Sequence, residues 1–297
     1  MTYQESYKEG CRILADAGIE EATLDARLLL EYVCGTDRNT LLVHGDRSVS
    51  KEEEVNYRAL LEKRAKHVPL QHLTGTQDFM GLSFEVNENV LIPRQDTEIL
   101  VEEVMKYLHD GMRFLDMCTG SGCILLSLLH YSNECEGVGV DYSKEALEVA
   151  KKNAHNLFET TGYNELEMQF GLQDRVLAQK QVTFVHSNLF EEVEGKFDII
   201  VSNPPYIATE VCETLMSEVK DFEPRMALDG GEDGLYFYRR IIKESPVYLN
   251  RGGMLFFEIG FDQAVAVSNL MEQEGFKEVS VLQDFAGLDR VVYGTYY

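Results

Sequence analysis

The stretch Arg113–His130, "RFLDMCTGSGCILLSLLH", decides the fold. "RFLDMC" reads as a short strand, and the apolar run "CILLSLLHY" reads as a helix. Between them stand Gly120 and Gly122, which lack a Cβ and so let a ligand approach the backbone closely. A strand, a glycine turn and a helix in that order set a pattern that the rest of the chain repeats.

Downstream, "EGVGVD" is a strand followed by the helix "SKEALEVAKKNAHNLF". "VTFVHSN" and "KFDIIVSN" are strands, "GLYFYRRIIKESPVYL" a helix, "GGMLFFEIG" a strand and "FDQAVAVSNLMEQEG" a helix. "FKEVSVLQD" and "RVVYGTYY" close the chain as strands with only a short loop between them. Such alternation implies an α/β fold, a parallel sheet with helices on both faces. The last two strands must form a hairpin, so the final one runs antiparallel. Residues 160–181, with "LQDRVLAQK" as a candidate helical turn, are too long for a simple connection.

Upstream, "DTEILVEEVMKYLH" predicts a helix capped by Asp96 or Thr97. The first 67 residues carry three amphipathic helices, with Gly18 and Gly35 at C-cap positions and Ser50 as an N-cap. "FMGLSFEVNENVLIP" alternates like strands, with Asn87-Glu88-Asn89 as its expected turn. The expected organisation is a helical domain over 1–70, a β-hairpin linker over 71–94 and an α/β domain over 95–297.

Asp116 lies just before the glycine turn, and the next strand ends in Asp141. An acid at the end of the second strand commonly accepts hydrogen bonds from ribose hydroxyls. That suits a nicotinamide cofactor or S-adenosylmethionine. The dinucleotide fingerprint fails, because Ile124 and Leu125 stand where its third glycine would fall. Asp141 is also placed to cap the helix that begins after "YS".

In "FDIIVSNPPYI" an apolar strand stops at Asn203-Pro204-Pro205-Tyr206. Two prolines cannot continue a central strand, so the chain leaves the sheet there. With a sulfonium methyl donor, an enzyme mainly has to aim a nucleophile along the S–C axis. An amide or aromatic amine is a poor nucleophile, because its lone pair is delocalised. Its NH₂ must be held by acceptors so that the lone pair faces the methyl. Asn203 offers a side-chain carbonyl, Pro204 a backbone carbonyl, and Tyr206 a flat face for a planar target. The motif therefore reads as methylation of a planar amino group, on adenine, cytosine or glutamine.

Net charge chooses among these. The chain of 297 residues carries −24, with 10 Lys/Arg against 15 Asp/Glu in residues 1–85 and 17 against 36 in the rest. A nucleic-acid binder neutralises phosphates with Lys and Arg, and neither segment resembles one. Acidity for solubility around a local basic groove is the alternative. The six cysteines form no C-x-x-C pair, and the seven histidines are dispersed, which argues against a metal site or disulfide framework. No apolar run approaches a membrane span and the polar start is no signal peptide, so we expect a cytoplasmic monomer with no membrane partner.

The motifs "PLQHLTG", "LIPRQDTEILVE", "DMCTGSG", "SNPPYI", "EPRMALDGGEDGLYFYRRI" and "DFAGLDRVV", in this order, resemble the release factor glutamine methyltransferases of the HemK/PrmC family. The resemblance covers nearly the whole chain. It implies a seven-stranded Rossmann-like methyltransferase domain behind a small helical substrate-recognition domain. It also implies S-adenosylmethionine, leaving as S-adenosylhomocysteine, and the glutamine of the Gly-Gly-Gln loop of peptide chain release factors as acceptor. By position, Cys118, Thr119, Gly120, Ser121 and Gly122 would line the methionine part of the cofactor, with Asn203 beside it. Asp141 would bind the ribose and Asn188-Leu189 would lie beside the adenine. Asn203, Pro204, Pro205 and Tyr206 would grip the glutamine amide, with Arg94 as a nearby support. The family usually has Gly in place of Cys118, and many members have Asp in place of Asn188. The 160–181 segment looks like an insertion. The other reading of the same pocket, an amino-methyltransferase of nucleic acid, would need a basic path that this chain lacks.

Overall fold

The computed structural model describes residues 1–159 and 181–297. The candidate helical turn between 160 and 180 lies outside the described residues. Two compact units are present, one of Met1–Thr76 with Met216–Phe222, the other of Gln77–Leu215 with Glu223–Tyr297.

The first unit holds helices α1 (Tyr3–Asp16), α2 (Ala22–Cys34), α3 (Arg38–Val43), α4 (Lys51–Arg64) and α5 (Leu70–Thr74). Thr2 with Glu5 and Ser50 with Glu53 form reciprocal capping boxes that start α1 and α4. Gly35 ends α2 in the left-handed region, at φ 55°. Leu14, Leu29, Leu30, Tyr57 and Leu61 bury their apolar faces together. The Tyr57 hydroxyl donates to the Ala26 carbonyl at 2.9 Å, close beside Gly10 of α1. α3 and α5 were not expected. At six and five residues they are too short to show a helical period. In the same unit Arg64, at the end of α4, donates to Asp25 at 2.7 Å and to Glu218 at 2.6 Å.

Strands β1 (Thr76–Phe79) and β2 (Leu82–Glu85), from Gln77 onward in the second unit, form a hairpin. Its turn is Met80-Gly81, both at positive φ (51° and 70°), the pairing that matches the twist of a tight hairpin. The expected turn at Asn87–Asn89 is instead an Asx turn beyond the hairpin, with Asn87 Oδ1 accepting from the Asn89 amide at 2.9 Å. Helix α6 (Asp96–Met105) follows, and neither Asp96 nor Thr97 caps it, since its N-cap is Gln95 without a side-chain bond.

The main sheet contains β3 (Arg113–Met117), β4 (Glu136–Asp141), β5 (Gln181–His186), β6 (Phe197–Ser202), β7 (Leu249–Glu258), β8 (Lys277–Gln283) and β9 (Asp289–Tyr296). Their order is β5-β4-β3-β6-β7-β9-β8. The first five strands pair in parallel, and β9 runs antiparallel between β7 and β8. This is the expected seven-stranded α/β fold. Successive residues of a strand point to opposite faces. Phe114, Ile199, Val201 and Phe256 therefore enter one apolar cluster, while Leu115, Ile200, Leu255 and Phe257 enter the other. Strands buried on both faces need near-continuous apolar runs, as β6 and β7 have. Each fully buried phenylalanine contributes roughly 1.5–3 kcal/mol. Registers Met117↔Ser202, Asp141↔His186 and Ser202↔Phe257 bring the carboxyl ends of β3 to β7 to one edge of the sheet. Ligands of open α/β sheets bind at that edge.

Candidate active site

A cavity of about 480 Å³ opens at this edge. Its wall includes Cys118, Thr119, Gly120, Ser121, Asp141 and Asn188, and also Leu189, Asn203 and Pro205. Arg94 and Thr97 face it too, whereas Gly122, Pro204 and Tyr206 do not lie on its wall.

The floor is the turn after β3. Asp116 is fully buried and its Oδ2 accepts from the Thr119 hydroxyl at 2.6 Å and from the Leu125 amide at 3.2 Å. Those two bonds close the turn onto helix α7 (Cys123–Tyr131). Burial nevertheless pushes the Asp116 carboxyl up to about 7, and the nearby Asp141 adds to the rise. Cys118 holds φ 65°, a left-handed conformation that costs a residue with a Cβ roughly 1–2 kcal/mol. A glycine would hold this conformation without that cost. The thiol is pushed up by burial, so it stays protonated. Gly120, at φ 56°, has open space where a Cβ would stand. Gly122 has none, since a Cβ there would meet Ala150 and Leu126 at 3.2 Å. Its role is helix packing behind the cavity.

Asp141 ends β4 with both oxygens engaged. Oδ2 accepts from the Gly120 amide at 2.9 Å and Oδ1 from the Ser143 amide at 2.8 Å. One carboxylate thus locks the glycine turn and also organises the start of α8 (Lys144–Glu159). Each oxygen keeps a second lone pair. Burial raises the Asp141 carboxyl while the amides oppose that rise. Asn188 is held on both sides, its Oδ1 by Arg240 at 3.2 Å and its Nδ2 by Glu191 at 2.6 Å. An amide suits such a mixed pair of partners, because it both accepts and donates. Leu189 follows at φ 55°.

The Asn203–Tyr206 loop is braced from below. The Ile207 amide donates to the Leu228 carbonyl at 3.0 Å, and the Gly230 amide to the Ile207 carbonyl at 2.8 Å. Gln263 Nε2 donates to the Tyr206 carbonyl at 2.9 Å. Gly230 and Gly234 let the backbones pass closely. A Cβ at Gly230 would stand 2.8 Å from the Pro205 oxygen, and one at Gly234 would stand 2.3 Å from the Tyr206 oxygen. The Asn203 amide Nδ2 donates to the Thr97 hydroxyl at 3.3 Å, which leaves its Oδ1 with no hydrogen bond among the described residues. Tyr206 is half-buried against the second apolar cluster, and its hydroxyl donates to Glu258 Oε1 at 3.4 Å. Arg94 pairs with the buried Glu223.

Thr97, Gly230 and Gly234 lie within motifs quoted above but were given no site role, and Glu258 and Gln263 lie in none of them. The signals available were an acid at the end of β7, like those ending β4, and the glycine spacing in "LDGGEDGL". Among the described residues no group of three or more His, Cys, Asp or Glu side chains is arranged to hold a metal ion. No described helix is long and apolar enough to cross a membrane.

Residues 5–75 match the family model for the PrmC N-terminal domain, and residues 94–220 match that of the methyltransferase small domain. The chain is 42% identical to a release factor glutamine methyltransferase of Geobacter sulfurreducens, over 95% of this chain and 92% of that one. It is 40% identical to another from Clostridium botulinum, over 97% of each. Among solved structures, a methyltransferase from Pyrococcus furiosus superposes with TM-score 0.51 at 17% identity, covering 73% of this chain and 90% of its own. That last likeness is one of fold. At such identity over nearly the full length of both proteins, the chain belongs to the release factor glutamine methyltransferase family.

Proposed function

We propose that the protein transfers a methyl group from S-adenosylmethionine to the side-chain amide nitrogen of the glutamine in the Gly-Gly-Gln loop of bacterial peptide chain release factors. The observation that carries this reading is the orientation of Asn203. Its Nδ2 is spent on Thr97, so the carbonyl Oδ1 remains to accept from a substrate NH₂. The Pro204 carbonyl, set back from the cavity wall, would be the second acceptor, and the partly exposed Tyr206 ring beside it would flank the planar amide. Holding both N–H groups in their plane would fix the amide so that the nitrogen's lone pair, perpendicular to that plane, faces the methyl. The product sheds its proton after transfer, so no strong base is needed.

The residues fit the cofactor. Open space above Gly120 forms a cradle that a Cβ would fill, and Asp141 has a free lone pair on each oxygen for ribose hydroxyls. The Cys118–Ser121 turn would hold the methionine part and Leu189 would lie against the adenine. When bound, the cofactor supplies an activated methyl on a sulfonium. Residues 1–70 are assigned to recognition of the protein substrate, 71–94 to the hairpin linker and 95–297 to the methyltransferase domain.

The test is methyl transfer from labelled cofactor to recombinant release factor, to its Gln→Ala variant in the Gly-Gly-Gln loop, and to DNA. Label on the intact factor alone is expected. Label on DNA and none on the factor would replace this reading with an amino-methyltransferase of nucleic acid.

A further inference from the structure

The assigned chemistry uses Asn203 and Tyr206, but nothing in the motif explains why Asn203 presents its carbonyl rather than its NH₂ to the cavity. An amide side chain can turn over about its last bond at little cost, and the wrong face would offer a donor to a donor. The neighbour that decides the matter is the Thr97 hydroxyl, 3.3 Å from Nδ2. A hydroxyl can either accept or donate, so Thr97 enforces the orientation only if its own proton is committed elsewhere.

Glu258 stands where that proton can go. It ends β7 and is 2% exposed, and its backbone carbonyl accepts from the Tyr238 hydroxyl at 2.8 Å. Oε1 accepts from the Tyr206 hydroxyl at 3.4 Å. Oε2 is buried with no hydrogen bond among the described residues, and the Thr97 hydroxyl lies close enough to favour the charged carboxylate. An ionised carboxylate can only accept: Tyr206 already donates to Oε1, and a Thr97 proton turned to the unpartnered Oε2 would leave Thr97 to accept from Asn203.

We propose that Glu258 is a positioning residue for methyl transfer, fixing both ends of the Asn203–Tyr206 motif by accepting from the Tyr206 hydroxyl and, through Thr97, setting the face that Asn203 shows to the substrate. This rests on the reading of the site as an amide methyltransferase. The other charged groups facing the carboxyl are Arg290, which favours its ionised form, and Asp96, which opposes it. Arg290 is shared with Asp96 at 3.2 Å and Asp284 at 3.0 Å. Burial outweighs Arg290 and pushes Glu258 up to about 7. Once protonated, Glu258 can donate to Thr97, whose own proton is then released toward Asn203. The ordered state therefore belongs to the ionised carboxyl and is lost as pH falls through that value.

The experiment compares wild type with Glu258→Gln and Thr97→Val, measuring kcat, KM for the release factor and cofactor Kd from pH 6 to 9. A carboxyl ¹³C titration of the protein labelled at glutamate provides a readout independent of turnover. In wild type, kcat should rise through pH ~7 with the titration of one buried carboxyl. Both variants should lower kcat about tenfold or more, leave cofactor Kd within about threefold, and lose that step. A Glu258→Gln enzyme that keeps the step or stays within twofold of wild-type kcat overturns the proposal, as does equal loss of cofactor affinity. So does a carboxyl that titrates near 4. If Glu258→Gln fails to fold, Thr97→Val, which keeps the carboxyl, decides by the same criteria. Failure of wild type to label the release factor at any pH would overturn the underlying reading instead, and the carboxyl titration would still test the placement of Glu258.

Discussion

Replacing Gly234 with alanine tests whether the backbone under the Asn203–Tyr206 loop sets its position. Two penalties are expected, and they can be separated. Gly234 sits at φ 73°, where a residue with a Cβ pays roughly 1–2 kcal/mol. The added carbon would also stand 2.3 Å from the Tyr206 oxygen and 2.8 Å from Gln263 Nε2, about 1 Å short of ordinary contact with the former. Backbone on the far side cannot swing away as a side chain would, so the loop must move, at an overpacking cost of about 1–3 kcal/mol. Gly252 supplies the control, because it has φ 80° and nothing within 4 Å of a built Cβ. Gly252→Ala should therefore lower Tm by ~2–6 °C through backbone strain alone, and Gly234→Ala by ~4–15 °C. A 1 Å displacement of a reacting group costs about 100-fold, so kcat for the release factor should fall by about that factor in Gly234→Ala and barely change in Gly252→Ala. Differential scanning calorimetry and steady-state methylation at 25 °C check both. If the two variants share the same kcat, the close approach does not position the loop and the reasoning fails.

Asn203→Ala should lower kcat by about 100- to 1,000-fold while cofactor Kd changes only a few-fold, as loss of an acceptor for the substrate amide requires; an equal loss of cofactor affinity, measured by calorimetry, would make Asn203 a cofactor ligand. Asp116 binds its proton more tightly folded, at about 7 against 3.8 unfolded, so the protein should lose stability as pH rises from 4 to 7. Asp116→Asn, neutral throughout, should flatten that slope by ~2–4 kcal/mol in urea melts across the window, and an unchanged slope would refute the assignment. Arg64→Ala leaves Asp25 and Glu218 without their shared cation and should destabilise the first unit by about 3–5 kcal/mol, visible as an early melting step; a melt identical to wild type would contradict it.

The strand sequence of the second unit was legible because each strand is a short apolar run bounded by glycine, proline or acid, and these local signals survive tertiary contact. Asp141 was legible for the same reason, as the acid closing β4. What escaped was set by distance along the chain. Thr97 and Asn203 are 106 residues apart, and Tyr206 and Glu258 are 52 apart, so no local pattern links them. Thr97 read as a helix cap, a role that its residue type fits equally well, and the fold assigned its hydroxyl elsewhere. The hairpin turn was misplaced because Asn87–Asn89 has better turn chemistry than Met80-Gly81, whose methionine takes a positive φ only under tertiary constraint. Cys118 adopts the backbone of a glycine, a departure invisible to propensity.

The first unit is not one continuous piece of chain. Residues Met216–Phe222 belong to it, although the matched N-terminal family model ends at residue 75. Cutting the gene after Thr76 would therefore yield a fragment whose buried Arg64 keeps Asp25 but forfeits Glu218. A graft of a foreign helical unit onto this enzyme should accordingly exchange Met1–Thr76 and Met216–Phe222 together.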